Sequence, residues 1–225
     1  MTAPYAELVA AHGLSDSHRL LAAAVPPASR VLDVGCATGY LAAELARSGC
    51  AVTGVEPDPR AAAAAREHCE AVIEGGVEDA ACRAQLEALE RFDAIVCGDV
   101  LEHLGDPWQA LAFVASLLAP GGRVVVSVPN IAHWTGRRAL LRGRFEYAPH
   151  GLFDVTHLRF FTRSSAHALV AGAGLRVVSE AFAPAPLPLE AHLPALGRLA
   201  ERAAAWRPAL FALQVVLVAQ RESDP

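Results

Sequence analysis

The stretch Val31-Leu-Asp-Val-Gly-Cys-Ala-Thr-Gly39, followed closely by Gly54-Val-Glu-Pro-Asp58, decides the fold of this chain. The apolar start of the first stretch predicts a short buried strand, and Gly35 and Gly39 bracket a tight turn into a helix. Glycine adopts backbone conformations that other residues avoid, and it lets a ligand lie directly against the main chain. A second strand ends at Glu56, the place from which a carboxylate in a nucleotide-binding α/β unit reaches a ribose diol. The two segments together predict a site for an adenosine-like ligand at the carboxyl ends of the strands.

The glycine loop lacks the features of two common phosphate-binding motifs. A dinucleotide fingerprint requires G-x-G-x-x-G, but Ala37 takes the place of the middle glycine and no glycine follows at the required offset. The loop also lacks the lysine of a P-loop. A nicotinamide dehydrogenase is therefore disfavoured.

Two later segments extend the pattern, namely Phe92-Asp-Ala-Ile-Val-Cys-Gly-Asp-Val-Leu-Glu-His-Leu-Gly-Asp-Pro107 and Leu118-Ala-Pro-Gly-Gly-Arg-Val-Val-Val-Ser-Val-Pro-Asn130. With the glycine loop and Glu56, they resemble the ordered motifs of the class I S-adenosylmethionine-dependent methyltransferases. The similarity is to the ubiquinone-biosynthesis-like branch, which acts on small molecules, and it covers roughly residues 15–182. The resemblance implies S-adenosylmethionine as the cofactor and methyl transfer as the reaction.

Strands alternate with helical stretches along the chain, which predicts an α/β fold with a doubly wound sheet. The predicted strands cover 30–34, 51–55, 71–74, 92–97, 123–128, 175–182 and 210–219. The predicted helices cover 15–24, 39–48, 58–69, 79–90, 106–118, 131–142 and 163–172, with an irregular stretch at 143–161. The resemblance implies a seven-stranded Rossmann-like sheet with helices on both faces. It also implies that the sheet is mostly parallel, with the last strand inserted antiparallel between the fifth and the sixth.

The tail has a composition of its own. Residues 183–190 read as a stiff proline-rich connector. Beyond them, apolar residues recur at helical spacing, at Leu193, Leu196, Leu199, Ala203 and Trp206. This stripe predicts a helix packed on its own sheet, with a dimer face or a substrate lid as the alternatives.

Length and composition predict one methyltransferase domain over residues 1–225, with a helical cap at 1–29, a cofactor-binding core at 30–182 and a connector, helix and final strand at 183–225. No apolar run approaches membrane length, and the start of the chain lacks the pattern of a secretory signal. The formal net charge of −5 argues against a nucleic-acid partner, and five scattered cysteines without a C-x-x-C pair are typical of reduced thiols. We therefore expect a cytoplasmic enzyme without membrane or nucleic-acid partners, and a homodimer is one expected assembly.

The expected cofactor site follows from the strand ends and the resemblance. Gly35 and Gly39 should offer backbone N–H groups and space to the methionine end, while Asp33 orients the loop or meets the cofactor ammonium. Glu56 should accept both ribose hydroxyls. The resemblance places Gly98 and Asp99 beside the methionine moiety and the transferred methyl group. Members of the family often carry an acidic residue near the adenine at the position of Gly76. Because glycine has no carboxylate, the adenine contact is expected from Glu78 or from the backbone around Val77. The full expected set is Asp33, Gly35, Cys36, Ala37, Gly39, Glu56, Pro57, Val77, Glu78, Gly98 and Asp99.

Methylation of a hydroxyl oxygen requires a base, and histidine is the usual candidate. Among the nine histidines, His12, His18, His68, His167 and His192 are expected to be exposed, and His103 to organise a turn. His133, His150 and His157 remain, around the exit of the fifth strand. We assign His157 as the base, with Asp154 fixing its tautomer and Phe160-Phe161 walling the pocket. His133 is the reserve.

The segment that carries His157, residues 151–162, resembles a motif in a subset of small-molecule methyltransferases from biosynthetic clusters. The alternative to catalysis is that Asp154, His157 and Arg159 bond to one another and hold this loop. No metal site is expected, because magnesium prefers carboxylates to imidazoles, although His150, Asp154 and His157 would be its ligands if one formed.

The expected function is therefore methyl transfer from S-adenosylmethionine to a small-molecule acceptor, at a hydroxyl oxygen. An N- or C-methyltransferase would use the same cofactor site with a different pocket. A non-catalytic module that binds S-adenosylmethionine would keep Glu56 and the loop but would need no base.

Overall fold

The computed structural model describes residues 13–185 and 194–221. Its helices are α1 (Asp16–Ala24), α2 (Tyr40–Arg47), α3 (Pro59–Ala65), α4 (Ala80–Glu87), α5 (Pro107–Ser116), α6 (Trp134–Leu141), α7 (Arg163–Gly172), α8 (Pro194–Trp206) and the short α9 (Pro208–Phe211). Its strands are β1 (Arg30–Val34), β2 (Ala51–Glu56), β3 (Ala71–Glu74), β4 (Phe92–Gly98), β5 (Leu118–Pro129), β6 (Leu175–Pro184) and β7 (Ala212–Arg221). A 3₁₀ turn at Leu101–His103 follows β4.

The strands form one seven-stranded sheet in the order β3-β2-β1-β4-β5-β7-β6. The pairs from β3 to β5 are parallel, whereas β7 lies antiparallel between β5 and β6. The predicted doubly wound α/β fold, including the inserted last strand, is confirmed. Because the parallel strands all end at one edge, the loops after β1, β2 and β4 meet there.

Apolar clusters cover both faces of the sheet. Neighbouring residues of the same strand belong to opposite clusters. In β1, Leu32 lies in one cluster and Val31 in the other, and in β4 the same holds for Ile95 and Ala94. Side chains alternate across a strand, so strands covered on both faces are continuously apolar. The central part of β7 is buried in this way from Val215 to Ala219.

Several predicted boundaries were wrong. Helix α5 ends at Ser116 and not at residue 118, because Leu118 already pairs with Phe92 of β4. Strand β6 runs to Pro184, inside the predicted connector, and β7 begins two residues later than predicted, at Ala212, after α9. The rest of that connector, from residue 186, lies outside the described residues.

Two members of the apolar stripe predicted for α8, Leu199 and Trp206, do not pack on the sheet. Leu199 is 62% exposed and Trp206 72% exposed, whereas Gly197 and Ala204 are buried. Helix α8 contacts β6. Leu193 and the side chain of Leu196 lie outside what is described.

Within the described ranges, no helix combines the length and the apolar character needed to cross a membrane.

Candidate active site

The glycine loop after β1 folds against the end of β2. The N–H groups of Gly35 and Cys36 both donate to the Val55 carbonyl, at 2.8 and 3.0 Å, and Gly39 N–H donates to the Cys36 carbonyl at 2.9 Å. The expectation that Gly35 and Gly39 leave N–H groups for a ligand is therefore wrong, because buried amides are satisfied within the protein. Gly35 and Gly39 have positive φ angles, 74° and 80°, and Ala37 adopts φ 48° without being glycine.

Glu56 holds this loop as well as ending β2. Its carboxylate is buried and accepts N–H bonds from Ala37 and Asp58, each at 2.9 Å. Burial raises the pKa of Glu56, and these two amides oppose the shift. Each carboxylate oxygen has a second lone pair, so the group can accept further donors. Pro57 lies exposed between the two anchored residues.

Three acidic residues converge near the half-buried Tyr40, at the start of α2. Asp33, Asp99 and Glu56 all raise the pKa of its phenol, after burial itself. Burial, followed by the Glu56 carboxylate, raises the pKa of Asp33 to about 7. Asp33 Oδ2 is buried and has no hydrogen-bond partner among the described residues. Such an oxygen calls for a donor or a cation, so the residues present fit the cationic methionine end of S-adenosylmethionine.

The end of β4 completes this acidic wall. Asp99 has a positive φ of 52°, and its N–H donates to the Ser127 hydroxyl at 3.0 Å. That hydroxyl in turn donates to Asp99 Oδ1 at 2.6 Å. At Gly98, a Cβ would lie 2.8 Å from Leu21 Cδ1, because α1 packs directly over this strand end.

Helix α1 brings His18, a histidine that the sequence argument set aside, to the cofactor site. His18 was expected to be exposed, but its ring lies 4.9 Å from the Tyr40 ring and it is half-buried. Burial lowers the pKa of His18, and Asp99 opposes the shift. The capping serine of α1, Ser15, bonds to the His18 ring at 3.0 Å. Neither Tyr40 nor His18 belongs to a motif, so no signal in the sequence marked them.

Glu78, in the loop after β3, was expected to contact adenine, but in the structure its carboxylate binds backbone N–H groups of another loop. Glu78 accepts N–H bonds from Gly105 at 3.1 Å and Asp106 at 2.8 Å, which ties this loop to the start of α5. Val77 is buried, and its carbonyl accepts from Arg83 Nε at 2.8 Å. The adenine contact assigned to these residues stays a prediction.

His157 lines a second site beside the carboxyl ends of β4 and β5. This cleft is bounded by Glu102, Pro129, Ile131, Leu152, His157, Arg159 and Phe160. His157 is buried, and burial lowers its pKa, with His103 adding to the effect and Asp154 opposing it. Phe160 lines the cleft as predicted, whereas Phe161 is buried in the core, so the predicted wall consists of one phenylalanine and not two.

The loop that carries His157 is anchored chiefly through backbone groups. Asp154 Oδ1 accepts from the Thr156 N–H at 2.8 Å and its hydroxyl at 2.6 Å, and the His157 N–H donates to the Asp154 carbonyl at 3.1 Å. The N–H groups of Leu158 and Arg159 donate to the Glu102 carbonyl at 2.8 and 3.0 Å. The segment is therefore docked on the 3₁₀ turn after β4.

His103 connects the turn to this loop, as expected. Its Nδ1 lies 3.2 Å from the Thr156 carbonyl and 3.0 Å from the Thr156 hydroxyl. The His103 and His157 rings are 4.9 Å apart in a T-shaped arrangement. Both carboxylate oxygens of Glu102, which precedes His103 in the turn, are buried and lack a hydrogen-bond partner in the described part of the chain.

The reserve base, His133, is a helix cap in the structure. Its buried ring accepts the Thr135 N–H at 3.4 Å through Nδ1, and the Thr135 hydroxyl lies 2.7 Å from the same nitrogen. Burial lowers its pKa. Nearby Asn130, which the sequence argument did not single out, is fully buried and bonds β5 to β7 through the Ala212 carbonyl at 2.9 Å.

The residues considered for magnesium do not form one group. Among the described residues, the imidazole and carboxylate atoms that approach within 4.8 Å of one another belong to Glu102, His103 and His157. His150 is exposed, on the outer part of the loop. All five cysteines are free and buried, and Cys36 lies in the loop against Gly54.

The strand order of the sheet, the bent loop after β1 and the acidic residue at the end of β2 are together typical of α/β enzymes that bind a nucleotide-like cofactor. The profile of the methyltransferase domain family matches residues 5–180. The chain therefore belongs to this family, and the resemblance to class I S-adenosylmethionine-dependent methyltransferases is confirmed.

Relatives and solved structures agree with this assignment. The chain is 42% identical over 106 residues to the ubiquinone biosynthesis O-methyltransferase of Alkalilimnicola ehrlichii, covering 45% of this chain and 42% of that protein. It is 31% identical over 155 residues to the Aeromonas salmonicida protein of the same name, covering 66% and 63%. The chain thus spans less than two thirds of the length of these relatives.

Two solved structures share the fold. The TehB-like SAM-dependent methyltransferase of Corynebacterium glutamicum aligns with a TM-score of 0.61 and 20% identity over 98% of both chains. The magnesium protoporphyrin IX methyltransferase of Synechocystis, solved with bound SAH, aligns with a TM-score of 0.59 and 16% identity over 92% of this chain and 80% of that one.

Proposed function

We propose that this methyltransferase transfers the methyl group of S-adenosylmethionine to a hydroxyl oxygen of a small-molecule acceptor. The observation that carries the proposal is the pairing of an acidic cofactor site at the ends of β1, β2 and β4 with a separate cleft lined by His157 and Phe160. The relatives named O-methyltransferases support the choice of oxygen.

The residues of the first site divide the work of holding the cofactor. Asp33 and Asp99 supply negative charge for its methionine end, and Glu56 supplies acceptors for its ribose. Gly35, Cys36, Ala37, Gly39, Pro57, Val77, Glu78 and Gly98 complete the proposed contact set. When bound, S-adenosylmethionine supplies a methyl group that is already activated by its sulfonium. The chain then needs to align the acceptor and exclude water.

His157 is the proposed base for the acceptor hydroxyl. Because burial lowers its pKa, the ring is neutral and able to accept a proton near pH 7. Asp154 fixes the loop beneath it through Thr156, and it also opposes the lowering of the His157 pKa. His133 stays the reserve, although its Nδ1 already caps α6.

Three further expectations belong to this proposal. A homodimer would cover Leu199 and Trp206, which are exposed on α8, and sedimentation of the intact chain measures it. The cytoplasmic location rests on the five free thiols and stays a prediction. The same is true of the division of the chain at residues 29 and 182.

Cofactor binding is the direct test. Isothermal titration should show binding of S-adenosylhomocysteine and no comparable affinity for NAD. Glu56→Ala should weaken that binding by roughly 1.5–3 kcal/mol, the range for a hydrogen bond to a charged group. Glu180→Ala removes a carboxylate that pairs with Arg163 and is not among the proposed cofactor contacts, so it serves as the control. Tighter binding of NAD than of S-adenosylhomocysteine would contradict the proposal.

The acceptor is identified by incubating a metabolite extract with labelled S-adenosylmethionine and locating the labelled product by mass spectrometry. A label on nitrogen or carbon would favour an N- or C-methyltransferase. Cofactor binding without any labelled product would favour a non-catalytic binding module.

A further inference from the structure

Two buried thiols meet at the glycine loop. Cys36 lies in the loop itself, and Cys69 lies in the turn between α3 and β3. A Cβ at Gly54 would lie 2.5 Å from Cys36 Sγ and 3.3 Å from Cys69 Sγ, so both sulfurs border the space that a side chain at residue 54 would fill. The missing side chain of Gly54 therefore makes room for Cys36 and Cys69, which we call the thiol pair.

The two members of the thiol pair differ in acidity. The Cys36 thiol hydrogen-bonds to the Cys69 sulfur, which lowers the pKa of Cys69 against the opposing effects of burial and of Asp33. The same interaction, followed by burial, raises the pKa of Cys36. By contrast, burial raises the pKa of the Cys82 and Cys97 thiols. Because the thiolate is the reactive form of cysteine, Cys69 is the nucleophile of the pair.

Cys69 is also the member of the thiol pair that is closer to solvent. It is 9% exposed, whereas Cys36 is 2% exposed. Its neighbours in the turn, Glu67, His68 and Glu70, are exposed. Exposure and acidity together make Cys69 the first thiol to meet a small oxidant, with Cys36 beside it as the second thiol that a disulfide requires.

The turn that carries Cys69 packs directly on the glycine loop. A Cβ at Gly39 would lie 3.0 Å from Ala65 Cα and 3.3 Å from His68 Cβ. The loop therefore contacts this turn at Gly39 as well as at Cys36. A covalent bond between the two sulfurs would join two segments that already touch.

A bond to Cys36 would act on the proposed cofactor contacts. Ala37, the next residue, donates its N–H to the Glu56 carboxylate at 2.9 Å. A disulfide holds its sulfurs at about 2.05 Å, much closer than two unbonded sulfur atoms pack. Forming it draws Cys36 toward the turn and disturbs the bond between Ala37 and Glu56.

We propose that the thiol pair is an oxidation site, at which hydrogen peroxide joins Cys36 and Cys69 in a reversible disulfide that weakens cofactor binding. The effect on the cofactor rests on the proposed function, whereas the disulfide does not. The Cys69 sulfur attacks one oxygen of the peroxide, the O–O bond breaks, and a sulfenic acid and one water form. The Cys36 sulfur then displaces the sulfenic hydroxyl, which leaves as a second water. The two thiols lose two electrons and two protons, and a dithiol reductant reverses the change.

The first test detects the disulfide without any cofactor. The intact chain is treated with hydrogen peroxide, denatured, alkylated and digested with trypsin without reduction. Cleavage after arginine gives peptide 31–47 with Cys36 and peptide 67–83 with Cys69 and Cys82. Mass spectrometry should find these peptides joined, with Cys82 alkylated as the internal control, and Cys69→Ser should contain no joined peptides. Separate peptides from the oxidised wild type, or a bond that uses Cys82, would overturn the proposal.

The second test measures S-adenosylhomocysteine affinity by isothermal titration before and after peroxide. Oxidation should weaken wild-type binding by about tenfold or more, the effect of losing one hydrogen bond to a charged group, and dithiothreitol should restore it. Cys69→Ser should bind equally under both conditions. Cys50→Ser is the matched control and should respond as the wild type does, because serine can still donate to the Pro26 carbonyl that the Cys50 thiol contacts at 3.4 Å.

Two outcomes separate this inference from the proposed function. Equal affinity of the reduced and the cross-linked wild type would overturn the effect on the cofactor. Absence of binding by the reduced wild type would count against the proposed function, while the joined peptides would still decide the disulfide.

Discussion

At the residue scale, one carboxylate often has a structural and a chemical task at once. Glu56 was predicted for the ribose, yet in the structure it also fastens the loop through Ala37 and Asp58. Glu78 was predicted near adenine, yet it ties two loops together. Carboxylates near strand ends meet the unpaired amides of the adjacent turns, and the sequence shows only the residue type.

Asp33 makes the stability of the free protein depend on pH. Its folded pKa is about 7, against an ordinary value of 3.8, so between those pH values the folded chain keeps a proton that the unfolded chain has lost. Stability should therefore fall as pH rises through this window, by up to about 4 kcal/mol from this group. Urea unfolding at pH 5 and pH 8 measures the difference, which should be smaller in Asp33→Asn. Asp16→Asn, on the exposed side of α1, is the control. Equal pH slopes in wild type and Asp33→Asn would contradict the assignment.

His157 is expected to act in turnover and not in cofactor binding. His157→Ala should lower kcat by ~10²–10⁴ and leave S-adenosylhomocysteine affinity nearly unchanged, because a base acts on the acceptor proton. Steady-state kinetics and isothermal titration give the two quantities. His68→Ala is the matched control, since His68 is exposed. Loss of folding or of cofactor affinity in His157→Ala would indicate a structural role, and a loss confined to His133→Ala would transfer the assignment to that residue.

At the scale of elements, strand β2 and the glycine loop pack too closely for a side chain at Gly54. A Cβ there would lie 2.5 Å from Cys36 Sγ and 3.3 Å from Cys69 Sγ. Two elements that approach so closely transmit a change in one to the other. The loop conformation is therefore set partly by a residue that lies outside it.

Gly54→Ala should destabilise the fold by roughly 1–3 kcal/mol through overpacking, and should weaken S-adenosylhomocysteine binding because the loop is displaced. Cys36→Ala removes the closer sulfur, so the double variant should lose less stability than the sum of the single variants. Denaturant unfolding of the wild type and all three variants provides the cycle. Strict additivity would show that the contact with Cys36 does not limit the space at Gly54.

At the scale of the whole molecule, the topology joins two sites that are far apart in the chain. Residues after β1, β2 and β4 form the acidic site, while the cleft combines the turn at Leu101–His103 with the loop before α7. The backbone bonds from Leu158 and Arg159 to the Glu102 carbonyl bring that loop to the sheet edge. Acceptor and cofactor can therefore meet at one edge of the sheet.

This assembly is expected to work without a metal ion. Turnover should survive dialysis against EDTA, because the group formed by Glu102, His103 and His157 offers two imidazoles and one carboxylate, whereas magnesium prefers carboxylates. The measurement compares rates before dialysis, after dialysis and after Mg²⁺ is added back. Activity that disappears on chelation and returns with Mg²⁺ would contradict the expectation.

The sequence by itself determined the strands and the cofactor loop. Gly35, Gly39 and Glu56 lie within a short segment, and contacts between near neighbours leave a local pattern of residue types and spacing. The position of β7 and the identity of the cofactor came from motifs in a known order, since periodicity says nothing about strand order.

Only the tertiary structure decided which residues meet across the chain. The sequence argument did not single out Glu102, and its position beside His157 depends on contacts between segments more than fifty residues apart. His18 and Tyr40 face each other because α1 packs over the strand ends, and the buried residues described for α8, Gly197 and Ala204, are small. Burial and hydrogen-bond partners are set by three-dimensional packing. These are the properties that shift the pKa of a carboxyl group and so decide its reactivity.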